Sequence, residues 1–172
     1  MRTLYLLRHA KSSWTDPGLD DHDRPLNVRG LDACERLVPF LRREGVAPDF
    51  VLCSTALRAR STLHGVFPAL PVPLTVRYDP AAYLAAPEKL LALLRALPPG
   101  IERPMVVGHN PGLEEFAGLL AGSGPDDQLA RMREKFPTGG LACLSFDIAA
   151  WDALTPGCGR LNLFAVPRLL QD

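Results

Sequence analysis

The stretch Thr3-Leu4-Tyr5-Leu6-Leu7-Arg8-His9-Ala10-Lys11-Ser12-Ser13 changes character within two residues. Thr3 to Arg8 is a short apolar run that ends abruptly in Arg-His-Ala-Lys-Ser-Ser. It shows no polar alternation, which suits a strand buried on both faces of a parallel sheet. Asp16 to Pro25 is polar and turn-rich, hence a loop. Asn27 can cap a helix running to about Arg43, with Leu31, Cys34, Leu37, Val38 and Leu41 at helical spacing and Gly45 closing it. Pro48 to Cys53 is a second buried strand, after which Ser54 or Thr55 caps a helix to about Val66. Leu74 to Tyr78 fits a third strand, and Pro87 opens a helix through Leu97. Pro104 to Gly108 is a fourth strand, followed by a helix from Pro111 to about Ala121. Gly122 to Pro137 holds one more short helix. Gly140 to Ile148 and Arg160 to Val166 read as two strands joined by a turn at Pro156 and Gly157. This alternation predicts an α/β three-layer sandwich: a mostly parallel central sheet, one antiparallel hairpin strand, and helices on both faces. The 172 residues suit a single domain, 1–172.

Composition narrows the function classes. Nineteen lysines and arginines balance nineteen aspartates and glutamates, so no global basic field draws in nucleic acid or an anionic membrane. Any anion site must be local. The apolar N-terminal run is too short for a signal peptide, and no run reaches the eighteen apolar residues of a membrane span. A cytoplasmic protein is therefore expected, with no nucleic-acid or membrane partner; the sequence sets no oligomeric state. Cys34, Cys53, Cys143 and Cys158 form no Cys-x-x-Cys pair, and the four histidines are scattered. Metal-ligand spacing is missing, so neither metal nor cofactor is expected. Buried or idle thiols in a reducing compartment are the reading for the cysteines.

Three of the first four predicted strands end in polar clusters: Arg8-His9, Ser54 with Arg58, and Gly108-His109-Asn110. Ligands of open α/β sheets bind beyond the carboxyl ends of strands. If these strands are neighbours, two histidines and two arginines converge. Arginine offers a planar fork matched to phosphate oxygens and keeps its charge. Nearby positive charge lowers a histidine pKa and keeps the imidazole neutral and nucleophilic. Attack on phosphorus then divides one displacement into two, with arginines carrying the transition-state charge without a metal.

These segments resemble a known family. Arg8-His9-Ala10 looks like the Arg-His-Gly signature of the histidine phosphatase (phosphoglycerate mutase-like) superfamily, with Ala10 in place of the glycine. Lys11-Ser12-Ser13-Trp14 resembles its Glu-Ser-x-Trp continuation, and Ser54 to Thr62 its Ser-x-x-x-Arg-Ala-x-x-Thr segment. Gly108-His109-Asn110 matches its third motif. Asp23-Arg24-Pro25-Leu26-Asn27-x-Arg29-Gly30 resembles the SixA-like branch, the phosphohistidine phosphatases.

The resemblance implies a phosphoglycerate mutase-like fold with His9 as nucleophile and Arg8, Arg58 and His109 on the phosphoryl oxygens; the planar fork of arginine further predicts that Arg58 binds through both prongs. It places Ser12, Arg24 and the amide of Asn110 as substrate contacts. Arg24 reaches the pocket rim or anchors its loop through Asp21 or Asp23. The superfamily glutamate acid is missing: Asp79 could donate to a leaving group, although an aspartate before Pro80 reads more readily as a turn residue. His22, His64 and Trp151 are discounted as loop, off-site helix face and packing. The expected substrate is a phosphorylated protein, phosphohistidine on a signalling protein first. A phosphatase of small phosphate esters and a non-catalytic phosphate-binding module of the same fold are the rivals.

Overall fold

A computed structural model describes residues 1–170. Its centre is a seven-stranded sheet in which β1 (Arg2–Arg8), β2 (Phe50–Ser54), β3 (Thr75–Asp79) and β4 (Pro104–Gly108) are parallel. β6 (Leu141–Phe146) runs antiparallel to β1 and to β7 (Gly159–Ala165). The short β5 (Ala121–Ser123) pairs in parallel with β7 at the edge. The order is β3-β2-β4-β1-β6-β7-β5, so the ends of β2, β4 and β1 stand side by side.

Alternate side chains of these strands feed two cores. Tyr5, Leu7, Val51, Cys53 and Val107 point to one face, covered by α1 (Val28–Arg43) and α2 (Leu57–Val66). Leu4, Leu6, Leu52 and Val106 point to the other, covered by α3 (Pro87–Arg95), α4 (Gly112–Leu120) and α5 (Asp126–Glu134). A strand sandwiched this way has no polar face, which explains why Leu4, Leu6 and Leu7 are fully buried. The mostly parallel three-layer fold expected from the sequence is present.

Local differences have physical causes. α2 begins at Leu57 behind Ala56, with no side-chain cap. Ser54, one of the expected caps, instead accepts the Ala56 amide at 3.2 Å and turns its hydroxyl toward His109. β5 was not foreseen, because three residues carry no periodicity. It exists through close backbone approach: a Cβ on Gly122 would lie 2.0 Å from the Gly157 carbonyl oxygen.

α4, which carries the His109 loop, is seated by a similar contact. A Cβ on Gly112 would fall 1.8 Å from the Ala85 carbonyl oxygen, whereas one on Gly118 in the same helix meets nothing within 4 Å. Gly112→Ala is expected to destabilise the fold by about 2 kcal/mol or more through this backbone clash. Gly118→Ala should stabilise it by roughly 0.5–1 kcal/mol through helix propensity. Urea unfolding of the two variants checks both signs.

Candidate active site

The adjacency of β2, β4 and β1 brings Arg58, His109, His9 and Arg8 to one pocket of about 250 Å³. His9 follows β1, and its amide donates to the Gly108 carbonyl at 3.0 Å. The next amide, on Ala10, donates to Thr62 Oγ1 at 2.9 Å, and that hydroxyl donates to the Arg58 carbonyl at 2.7 Å. One buried threonine on α2 therefore fixes the backbone behind His9 to the backbone of Arg58. Ala10 is fully buried beside it, and the site accommodates its methyl where the Arg-His-Gly signature it resembles has glycine.

The tautomer of His9 follows from its partner. Nδ1 lies 2.7 Å from the Ala10 carbonyl oxygen. A carbonyl only accepts, so Nδ1 carries the proton and Nε2 keeps the lone pair. Burial, opposed by that hydrogen bond and reinforced by the Arg58, Arg8 and Arg24 charges, brings the His9 pKa down to about 4. His109, with its ring centroid 5.2 Å from that of His9, is lowered to about 3 by burial, then by His9 and Arg58. Both are neutral near pH 7.

Three buried side-chain nitrogens lack a hydrogen-bond partner among the described residues: Arg8 Nε, Arg58 Nε and His109 Nδ1. All three belong to residues lining this pocket. Ser54 Oγ accepts from Ala56, and the one acceptor in reach of its own proton among the described residues is His109 Nε2 at 2.7 Å; with that proton donated, the ring proton of His109 sits on Nδ1. The pocket thus holds three unmatched donors around the free lone pair of His9 Nε2. Unmatched buried donors cost about 1–3 kcal/mol each, a debt that oxyanion oxygens would relieve.

The Asp21 loop closes one side. Asp21 Oδ2 accepts from Arg58 Nη2 at 2.9 Å and from Tyr83 Oη at 2.5 Å, and Oδ1 accepts from Arg24 Nε at 3.1 Å. Its backbone carbonyl takes Arg58 Nη1 at 2.6 Å. The Tyr83 hydroxyl, with Arg58 and Arg24 behind it, holds the Asp21 carboxyl far below the usual range. This corrects the expectation that Arg58 offers both prongs to phosphate: both Nη groups face Asp21, and only Nε is unmatched. Arg24 satisfies both of its readings. It pairs with Asp21, donates to Ser12 Oγ at 2.7 Å, and lines the pocket. Its guanidinium stacks 3.5 Å over the exposed Trp14 ring.

Asn110 lines the pocket and donates to the Phe136 carbonyl at 2.8 Å, the same oxygen that takes Arg8 Nη1 at 3.0 Å. Glu114 accepts the Phe136 amide at 3.2 Å and braces Asn110. Asp79 does not line the pocket: its Oδ1 caps the Pro80–Ala82 turn through the Ala81 amide at 2.9 Å. The substrate-contact expectation for Asp79 is therefore withdrawn, and the turn reading describes it. His64 pairs with Tyr78 away from the pocket, and Trp151 is fully buried packing. His22, read as a solvated loop residue, reaches Thr55 Oγ1 at 2.8 Å. Sequence reasoning assigned no site role to Asp21 beyond pairing Arg24, and none to Tyr83 or Glu114. For Glu114 a signal existed in its i,i+4 spacing from Asn110.

No group of three or more histidine, cysteine, aspartate or glutamate side chains that could hold a metal occurs among the described residues. The buried Cys34, Cys53 and Cys143 thiols are pushed up to about 11, 12 and 12 by burial, beyond the range of a nucleophile. No helix among the described residues is long and apolar enough to cross a membrane.

The model of the histidine phosphatase superfamily (branch 1) matches residues 4–81, the segment that carries His9, Arg24 and Arg58. The chain belongs to the histidine phosphatase superfamily. An uncharacterized protein of Mycobacterium tuberculosis is 41% identical over 164 residues, covering 94% of this chain and all of the relative. A solved structure of a candidate phosphohistidine phosphatase SixA from Nakamurella multipartitia superposes with a TM-score of 0.82 at 31% identity, over 96% of each chain. Another such SixA, from Agrobacterium tumefaciens, gives 0.81 at 34% identity, over 96% of this chain and 98% of that one.

The histidine shifts set a stability window. Unfolded histidines take up protons near pH 6.5, whereas folded His9 and His109 resist to about 4 and about 3. Between pH 7 and 5 the unfolded chain thus binds more protons, so stability falls as the solution is acidified. Urea midpoints at pH 7, 6 and 5 should decrease in order, above the carboxylate range. In His109→Asn the slope should be shallower.

Proposed function

We propose that the chain is a metal-independent phosphatase that works through phospho-His9 and acts on protein phosphohistidine. The observation that carries this reading is the trio of unmatched buried donors arranged around a histidine whose Nε2 lone pair is free. Donors aimed where charge develops are the main source of transition-state stabilisation in phosphoryl transfer.

The chemistry divides into two displacements. His9 Nε2 attacks phosphorus and the leaving group departs with the bonding pair. Arg8, Arg58 Nε and His109 Nδ1 take the non-bridging oxygens. The fixed Ala10 carbonyl accepts from Nδ1 and stabilises the imidazolium character that His9 gains. Water then attacks phospho-His9, inorganic phosphate leaves, and His9 returns to its starting tautomer. Asn110 contributes its side chain to the wall rather than charge.

Leaving-group chemistry supports phosphohistidine. Among the described residues that line the pocket, Asp21 is the one carboxylate. It is held ionised by Tyr83, Arg58 and Arg24, so it has no proton to give. Expelling an alkoxide without a general acid forfeits typically 10²- to 10⁴-fold. Expelling imidazole, a far weaker base on a labile P–N bond, needs less help. The two SixA structures at 31% and 34% identity support the same substrate class.

His9→Ala should lower turnover of a phosphohistidine peptide by several orders of magnitude. Acid-free quenching of the wild type should trap a phosphoryl group on His9 by mass spectrometry. In the same assay kcat/KM for the phosphohistidine peptide should exceed that for a sugar phosphate at least a hundredfold, with Asp79→Asn unchanged. Full activity of His9→Ala would rule out the covalent route. A wild-type preference for the sugar phosphate, lost in Asp79→Asn, would make the enzyme an Asp79-assisted esterase.

Arg58→Lys keeps a charge but loses Nε and the paired Nη contacts to Asp21. It is expected to cost about 2 kcal/mol or more of transition-state stabilisation. Steady-state kinetics equal to wild type would reassign Arg58 to holding the Asp21 loop.

A further inference from the structure

A second depression, of about 530 Å³, lies against the phosphate pocket, and Lys11 and Thr138 line both. Four segments build it: the loop after β1, α1, the loop after α5, and the turn after β7. From α1 come Arg29, Asp32, Ala33 and Arg36, whose i, i+3, i+4, i+7 spacing puts them on one face. The segments meet at Gly139, where φ is +73° and an added Cβ would lie 2.7 Å from Pro167 Cγ and 3.9 Å from Ala33 Cβ. The Gly139 amide donates to the carbonyls of Arg8 and His9 at 3.1 and 3.0 Å. Groove and pocket therefore share one backbone wall.

The groove is strongly basic. Among the described residues that line it, Lys11, Arg29, Arg36, Lys135 and Arg168 stand against a single carboxylate, Asp32. All five are exposed, and no ion pair among the described residues includes any of them. In a chain whose 19 basic and 19 acidic residues cancel, this is a local excess next to the reacting atoms. Such a field attracts an acidic surface and raises its rate of encounter.

We propose that this groove docks the acidic flank of the phosphorylated residue in a protein substrate. The proposal rests on the phosphohistidine phosphatase reading and adds a selection rule to it: acidic residues beside the phosphohistidine favour the substrate. The form of the groove argues for a protein surface. Sites for small molecules are mainly apolar, with a few placed polar groups, whereas these cations are long, exposed and spread over four segments. On that reading the phosphorylated side chain enters the pocket of about 250 Å³, which leaves the groove of about 530 Å³ for the residues around it.

The test uses peptides that carry a non-hydrolysable phosphohistidine mimic and differ only in flanking residues: acidic, neutral or basic. Fluorescence anisotropy with the full chain, at about 0.02 M and about 0.5 M salt, reads binding without turnover. The acidic peptide should bind roughly tenfold tighter than the neutral one at low salt, with the basic one weakest and the spread collapsing at high salt. Arg36→Glu with Lys135→Glu, both outside the phosphate pocket, should invert the order. Should that pair fail to fold by circular dichroism, Arg36→Gln with Lys135→Gln should flatten the order instead. Equal affinities for the three peptides, or an acidic preference that survives the folded variants, would overturn the proposal. Hydrolysis of the matching phosphohistidine peptides is scored separately. Acidic preference without hydrolysis would sink the proposed activity and leave the groove; hydrolysis without preference would do the reverse.

Discussion

Cations gathered in a buried pocket repel one another, and here a single carboxylate holds two of them, Arg24 and Arg58. Asp21 takes hydrogen bonds from Arg58, Arg24 and Tyr83, and its backbone carbonyl takes another from Arg58. Arg58 is 2% exposed, so without this partner its charge would be buried and uncompensated, a cost of several kcal/mol. Asp21 itself is nearly half exposed, with 44% of its side chain accessible. It therefore anchors the arginines from the solvent side without cancelling the positive field inside. That residual field, added to burial, keeps both histidines neutral. In the proposed mechanism an incoming phosphoryl group meets Arg58 at Nε, the one nitrogen of its fork that Asp21 leaves unmatched.

The placement of the four principal residues was legible because it depends on few assumptions. Continuous apolar runs mark doubly covered strands, and helices between them make those strands parallel. Their carboxyl ends then share one side of the sheet. His9, Arg58 and His109 are some fifty residues apart in sequence, yet each stands just beyond such an end. The adjacency of β2, β4 and β1 completes the convergence. The Arg24 loop was legible only as two alternatives, and both describe it.

What was not legible lies in loops and in side-chain direction. Asp21 and Tyr83 sit in segments without periodicity, so no pattern marks them as partners across 62 residues. The fork of Arg58 was expected to face the ligand because the residue type suits phosphate. Its actual direction is set by a carboxylate brought from a different loop. Ser54 was read as a helix cap because serine at that position commonly is one. Its hydroxyl instead orients His109, and α2 does without a cap. β5 was missed because its pairing depends on two glycines approaching closely rather than on side-chain pattern.

The two tryptophans have opposite surroundings. Trp151 is fully buried near the start of β1 and β4, where its Nε1 donates to the Ile101 carbonyl at 2.7 Å. Trp14 is 73% exposed at the pocket mouth, with the Arg24 guanidinium 3.5 Å from its ring centroid. The chain thus contains one indole shielded from water and one solvated indole that marks the rim of the pocket, because Trp14 lies against an arginine that lines it.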